Sequence, residues 1–226
     1  GLICLVFSNA SPTMAPMGGR EAVLGTNPIA AGFPLPDAEP VVLDMSTSAV
    51  ARARIRQAER EGKPIPGDWS LDAAGVPTTD AAAAMKGTIL PLAGAKGYGL
   101  ALVAELLSST LSDGGPGYDV ASPHDTSGRP ACVSHFFIVM DPDGFCGVER
   151  QGKRAAAVTR RIEQSKPIVS DVPPRLPGAR GHRSRRQALK DGVPVTGALR
   201  NALAEAARLL DETKAAGRPE ARGALA

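Results

Sequence analysis

The stretch Pro91-Leu92-Ala93-Gly94-Ala95-Lys96-Gly97-Tyr98-Gly99-Leu100 decides how this chain is read. Three glycines and one lysine stand directly before an apolar run, Leu100 to Leu111. Within the run Leu100, Val103, Leu107 and Leu111 recur at helical spacing, with Ala104 beside them. That spacing predicts a buried helix from about Tyr98 to Leu111. A glycine-bearing turn thus delivers a lysine to the start of a helix. Glycine lets backbone come close to a ligand, and a helix start offers unpaired N–H groups and partial positive charge. Together with a lysine these make an anion site, and phosphate is the usual anion. The order Gly-x-x-Gly-x-Gly reverses the dinucleotide fingerprint, and the Gly-Lys-Ser/Thr ending of a P-loop is absent. A plain loop-to-helix turn is the competing reading of the same residues.

Upstream, Val41-Val42-Leu43 predicts a short strand that runs into Asp44-Met45-Ser46-Thr47-Ser48. Ser46, Thr47 and Ser48 suit an N-cap. They would open a basic helix from about Ala49 to Glu61, which carries Arg52, Arg54, Arg56 and Arg60. Asp44 then sits at the C-terminal end of a strand, where α/β sheets bind ligands; a helix-capping aspartate is the alternative. Residues 2–7 read as a strand ending at Ser8-Asn9, and Ile29 to Phe33 is a further apolar run. His135 to Met140 reads as a second buried strand. Trp69 is expected to anchor a turn-rich excursion, residues 62–80, on the core. Helices are expected over about Val148–Gln164 and Gly197–Thr213, with a strongly basic one between them.

The 226 residues are 43% apolar, 4% aromatic and carry a net charge of +3. The apolar share permits a sizeable core built from Ala, Val, Leu and Ile. The charge is too small to imply a nucleic-acid partner. The basic stretch Arg175–Lys190 lacks interleaved aromatics for base stacking, which argues against such a partner too. Cys4, Cys132 and Cys146 show no metal spacing and read as free thiols of a reducing compartment, so a cytoplasmic protein is expected. His124, His135 and His182 have no partner at ligand spacing, and no metal is expected. No apolar run is long enough to span a membrane. The opening Gly1-Leu2-Ile3-Cys4-Leu5-Val6-Phe7 reads as a strand entered in mid-chain, with the natural N-terminus missing.

Several stretches together resemble one family. They are Ser8-Asn9, Pro16-Met17-Gly18-Gly19-Arg20-Glu21, Leu24-Gly25-Thr26-Asn27-Pro28, Asp44-Met45-Ser46-Thr47-Ser48 and Gly75-Val76-Pro77-Thr78-Thr79-Asp80. Ala95-Lys96-Gly97-Tyr98-Gly99-Leu100, His135-Phe136-Phe137 and Leu176-Pro177-Gly178 with Arg180 continue the series. Their order and spacing is similar to the type 2 malate/L-lactate dehydrogenase family, from residue 1 to about 212. That family includes ureidoglycolate, sulfolactate and diketogulonate enzymes and reductases of cyclic imino acids.

The resemblance implies an NAD- or NADP-dependent oxidoreductase of small 2-oxo/2-hydroxy acids or cyclic imino acids, working as a homodimer. It implies an α/β fold, a mixed sheet flanked by helices, with a non-Rossmann cofactor domain. Residues 1–165 would form that domain. Residues 166–212 would form a C-terminal helical segment returning toward a missing N-terminal domain, and 213–226 a disordered tail. Carried over by motif, Ser8, Val42, Leu43, Asp44, Met45 and Ser46 would line the cofactor site. Ala95, Lys96, Gly178, Ala179 and Arg180 would contact the cofactor as well. Thr26 would face the substrate, and Asp44 would orient the catalytic histidine. In the family that histidine, and the arginine that grips the substrate carboxylate, precede residue 1 of this chain, so the chain alone is expected to be inactive. A non-catalytic cofactor-binding or oligomerisation module is the alternative.

Overall fold

The computed structural model describes residues 1–123 and 125–215. His124 and residues 216–226, most of the expected tail, lie outside the described residues. The chain divides into two compact units, Gly1–Arg180 and Gly181–Ala226.

The first unit is organised on a four-stranded sheet. β1 (Ile3–Ser8), β2 (Ile29–Leu35), β3 (Ala38–Met45) and β4 (His135–Met140) lie in the order β3-β2-β1-β4. Every pairing in this sheet is antiparallel, where a mixed sheet was expected. The physical reason is the short connection between β2 and β3, which folds the chain straight back at Pro36-Asp37. A parallel partner needs a long crossover instead. Asp37 turns with φ of 54°, a left-handed conformation that aspartate tolerates better than most residues. β4 is an edge strand and not a buried one. Phe137 and Val139 are exposed, and the alternate residues Phe136, Ile138 and Met140 are partly covered.

Three helices of this unit position the site. In α1 (Arg52–Arg60) only Ile55 is buried, and it meets Val50, Ile65, Ala81, Ala84 and Ile89 in one core cluster. α2 (Ala81–Lys86) packs against α1 and is capped by Asp80, which accepts a 2.8 Å hydrogen bond from the Ala82 N–H. Trp69 is partly buried against the same cluster, as an anchor for its loop should be. A second cluster joins Met14, Leu24 and Ala101, with Tyr98 against it. Ala101 belongs to α3 (Ala95–Glu105). α4 (Val148–Glu163) packs against β2.

Two helix boundaries differ from the sequence expectation. α1 starts at Arg52, without a side-chain cap. The hydroxyls expected to cap it are engaged elsewhere: Thr47 Oγ1 donates to the Thr26 carbonyl at 3.0 Å, and Ser48 Oγ to the Val50 carbonyl at 2.9 Å. α3 starts at Ala95 and gives way at Leu106–Thr110 to a wider π-type turn. There Ser108, Ser109 and Thr110 each donate a hydroxyl to the carbonyl four residues back, at 2.6–2.7 Å. Such back-bonding competes with the helical ladder and loosens it.

The second unit holds most of α5 (Ala179–Asp191) and all of α6 (Gly197–Ala215). α5 has no buried residue. Arg208 in α6 pairs with Glu205 at 2.7 Å and with Glu212 at 2.5 Å.

Candidate functional site

The sheet register gathers the first group of expected residues at one end. Met45, Ile29, Phe7 and Phe136 form one row across the four strands. Ser8 is one residue beyond that row, opposite His135, and Ser46 follows Met45. Thr26 immediately precedes β2 at the same end. Asp44 sits one row inward, opposite Ala30, and its side chain is exposed on the edge strand. It has no hydrogen-bond partner among the described residues.

Thr47 ties this end of the sheet to the glycine turn. It is fully buried, and its N–H donates to the Thr26 carbonyl at 2.9 Å. Its own carbonyl accepts from the Leu92 N–H at 2.9 Å. The Leu92 carbonyl in turn accepts from the Gly97 N–H at 2.8 Å. A Cβ on Gly97 would stand 2.2 Å from the Leu92 carbonyl oxygen and 2.8 Å from that of Thr47. Glycine is therefore required here for close approach, which is what seats the start of α3 beside Asp44–Ser46. Gly97 spends one helix-start donor inside the protein. The N–H groups of Ala95 and Lys96 have no intrachain partner among the described residues. Both residues are exposed, and the helix dipole adds partial positive charge to the Lys96 ammonium. The anion-site reading of the turn thus keeps two backbone donors and one full charge.

The third group approaches from the far side. The Val42 N–H, on the open edge of β3, donates to the Pro177 carbonyl at 3.3 Å. Gly178 follows with φ of +87°, and a Cβ there would come within 3.0 Å of the Val42 carbonyl oxygen. Only glycine fits that turn without strain, so Gly178 and Val42 are brought together. Ala179 and Arg180 begin α5. No hydrogen bond joins Arg180 to β3 or to Lys96 among the described residues.

Beside Thr26 and Ser46 opens a cleft of about 710 Å³, lined also by Arg52, Arg56, Tyr118 and Arg129. Arg52 Nη2 donates to the Met85 carbonyl at 2.7 Å. Burial, with the neighbouring Arg56 charge second, lowers the Arg52 pKa from its ordinary value. Arg129 Nε donates to Asp125 at 2.7 Å. Chiefly that bond holds the Asp125 carboxyl down at about 2. The sequence reading noticed Arg52 and Arg56 only as a basic helix; their one-turn spacing was the signal that both face one way.

A buried polar hub, also missed, fixes Thr26 from behind. Asn27 is fully buried with φ of 21°. Its Nδ2 donates to Glu105 Oε2 at 2.8 Å and to the Ala101 carbonyl at 3.0 Å. Glu105 Oε1 accepts from the Gly117 N–H at 2.7 Å and from Ser109 Oγ at 3.1 Å. Asn9 links in parallel to Gly115 and Ser134, both at 2.8 Å. A lone acid inside the run Leu100–Leu111 was the available signal. Among the described residues, no three His, Cys, Asp or Glu side chains gather to hold a metal ion.

Fold and site together define an α/β protein with a glycine-built anion cradle at one end of an antiparallel sheet and a cationic cleft beside it. A profile of the malate/L-lactate dehydrogenase family matches residues 1–204, and the chain belongs to that family. It is 37% identical over 187 residues to the (2R)-3-sulfolactate dehydrogenase (NADP(+)) of Chromohalobacter salexigens, covering 83% of this chain and 54% of that protein. It is 38% identical over 206 residues to a Delta(1)-pyrroline-2-carboxylate/Delta(1)-piperideine-2-carboxylate reductase of Pseudomonas aeruginosa, covering 90% of this chain and 59% of that one. The solved sulfolactate dehydrogenase of Methanocaldococcus jannaschii superposes with a TM-score of 0.83 at 35% identity, over 93% of this chain and 60% of that one. The chain therefore spans little more than half the length of the relatives it matches.

Proposed function

We propose that this chain is the cofactor-binding part of an NAD(P)-dependent oxidoreductase that moves a hydride between the nicotinamide and a small 2-oxo/2-hydroxy acid or a cyclic imino acid. The observation that carries the reading is the cradle of Ala95, Lys96 and Gly178 around the end of β3. Two backbone donors, a lysine and a glycine-only approach suit a pyrophosphate, and they do so without a parallel Rossmann sheet. The bound cofactor would supply the hydride. Lys96, with Arg180, would neutralise its phosphates. Ser8, Val42–Ser46, Gly178 and Ala179 would line its site, and Thr26 would face the substrate. Asp44, exposed and without a partner among the described residues, would orient the histidine that protonates the substrate oxygen or nitrogen; a carboxylate in that role fixes the imidazole tautomer.

Unpaired thiols at Cys4, Cys132 and Cys146 suit a reducing, cytoplasmic setting. No helix among the described residues is long and apolar enough to cross a membrane. Leu102, Val103 and Leu106 are 37–48% exposed, an apolar surface that suits a homodimer.

The test is a fluorescence titration of the folded chain with NADH and with NADPH. Saturable binding is expected, without turnover of 2-oxo acids by this chain alone. Lys96→Met should weaken binding about tenfold or more, since a charge-assisted contact is worth ~1.5–3 kcal/mol. A folded chain that binds neither nucleotide overturns the proposal in favour of a non-catalytic module. Robust turnover removes Asp44 from the role given it.

A further inference from the structure

We propose that the arginine-lined cleft beside Thr26 selects a substrate with two anionic groups, with Arg56 and Arg129 gripping the second one. The proposal rests on the oxidoreductase reading and names the substrate class of that site.

Three guanidiniums line the cleft and no Asp, Glu or Lys does. Arg52 and Arg56 stand one turn apart on α1, and Arg129 enters from the loop on the other wall. Asp125 offsets the Arg129 charge and fixes its Nε. Roughly two positive charges are left facing one cavity. The Arg52 and Arg56 charges disfavour each other, in the direction of the lowered Arg52 pKa. A cavity that concentrates like charge gains most from an anion that relieves it. Each guanidinium carries five N–H donors. The bond from Arg52 to Met85 and that from Arg129 to Asp125 each engage one nitrogen, so both retain donors for an oxyanion.

A cyclic imino acid would set ring methylenes against these guanidiniums and strip their water without giving back an acceptor. A 2-oxo acid with a second carboxylate or sulfonate gives it back. An extra phosphate on the cofactor has the same chemistry, but the cleft's walls argue for the substrate. Thr26 and Ser46 line it, whereas Lys96, Gly178 and Arg180 do not.

The experiment is calorimetric titration of this chain, with NADH or NADPH present, using racemic malate and racemic lactate as probes. Malate should bind at least tenfold tighter than lactate. Arg56→Gln and Arg129→Gln should each weaken malate about tenfold and lactate less than threefold; Arg129 lies on an exposed loop, so its variant folds even if the Arg56 one does not. Equal affinities, a preference for lactate, or binding of neither acid overturns the proposal. So does a preference for NADPH over NADH that disappears in the two variants, which would assign the cleft to a cofactor phosphate. The nucleotide titration separates the two readings. A chain that titrates with NADH but ignores malate keeps the oxidoreductase reading and loses this one; a chain that prefers malate without titrating does the reverse.

Discussion

Along α3, Gly97, Ala101, Ala104 and Glu105 are buried, while Leu100, Leu102 and Val103 on the opposite side are 37–48% exposed. The inward face is small and polar and the outward face is large and apolar. Small residues let the helix backbone come close to Thr47 and Leu92, and the Glu105 carboxylate then reaches Asn27 and the Gly117 N–H. The helix is therefore located by directional hydrogen bonds rather than by volume filling. That is what a site needs: a leucine can slide by half an ångström at little cost, a buried carboxylate with three donors cannot.

The sharpest way to break this comparison is to exchange the two materials. Glu105→Leu should orphan the Asn27 amide and the Gly117 N–H, each buried donor costing ~1–3 kcal/mol. A loss of about 3 kcal/mol or more in urea denaturation is expected. Val103→Ala, on the outward face of the same helix, should change stability by less than about 0.5 kcal/mol in the monomer. Comparable losses for both would show that the outward face is the structural one.

Two glycines of the same helix give a second, smaller contrast. Gly97→Ala puts a methyl against two backbone carbonyls and should destabilise by roughly 2 kcal/mol, as overpacking does. It should also weaken NADH binding, because Ala95 and Lys96 must move with it. A Cβ on Gly99 meets nothing within 4 Å. Gly99→Ala should therefore stabilise by about 0.5–1 kcal/mol, the ordinary helix preference of alanine. A neutral Gly97→Ala would remove the close approach from the account of the site.

The same contrast explains which parts of the molecule were legible in its sequence. The strands at residues 3–8 and 29–35 follow from apolar runs bounded by turn residues, and the turn at Gly94–Gly97 announces itself through glycine and lysine. Gly178 and Val42 could be paired only through the family resemblance, because nothing local links residues so far apart. The burial of α3 was misread for a physical reason. Periodic leucines signal one apolar face, but they do not say whether that face meets this unit's own core. Ala101, Ala104 and Ser108 carry an equally regular spacing, and the lone Glu105 marks which face is inside. The cap hydroxyls of residues 46–48 failed likewise, since a tertiary acceptor at Thr26 outcompetes a local one.

The smallest effect sets a second carboxylate against Glu105. Asp125 is exposed, and it accepts from Arg129 Nε and from the Ser127 N–H at 2.7–2.8 Å. Its pKa falls from the ordinary 3.8 to about 2, first through the Arg129 bond and then through Ser127. The folded value lies below the unfolded one. The ionised form therefore favours the folded loop at pH above 3.8, and that contribution is lost as pH falls through about 2. Exposure and salt screening keep it small. Carboxyl-carbon NMR of Asp125 should titrate near 2 in the unmodified chain, and Arg129→Gln should return the midpoint toward 3.8. A midpoint already near 3.8 would mean that the pair does not form in solution. Arg129 would then face the cleft with its charge uncompensated, and the cleft would hold three free positive charges instead of roughly two.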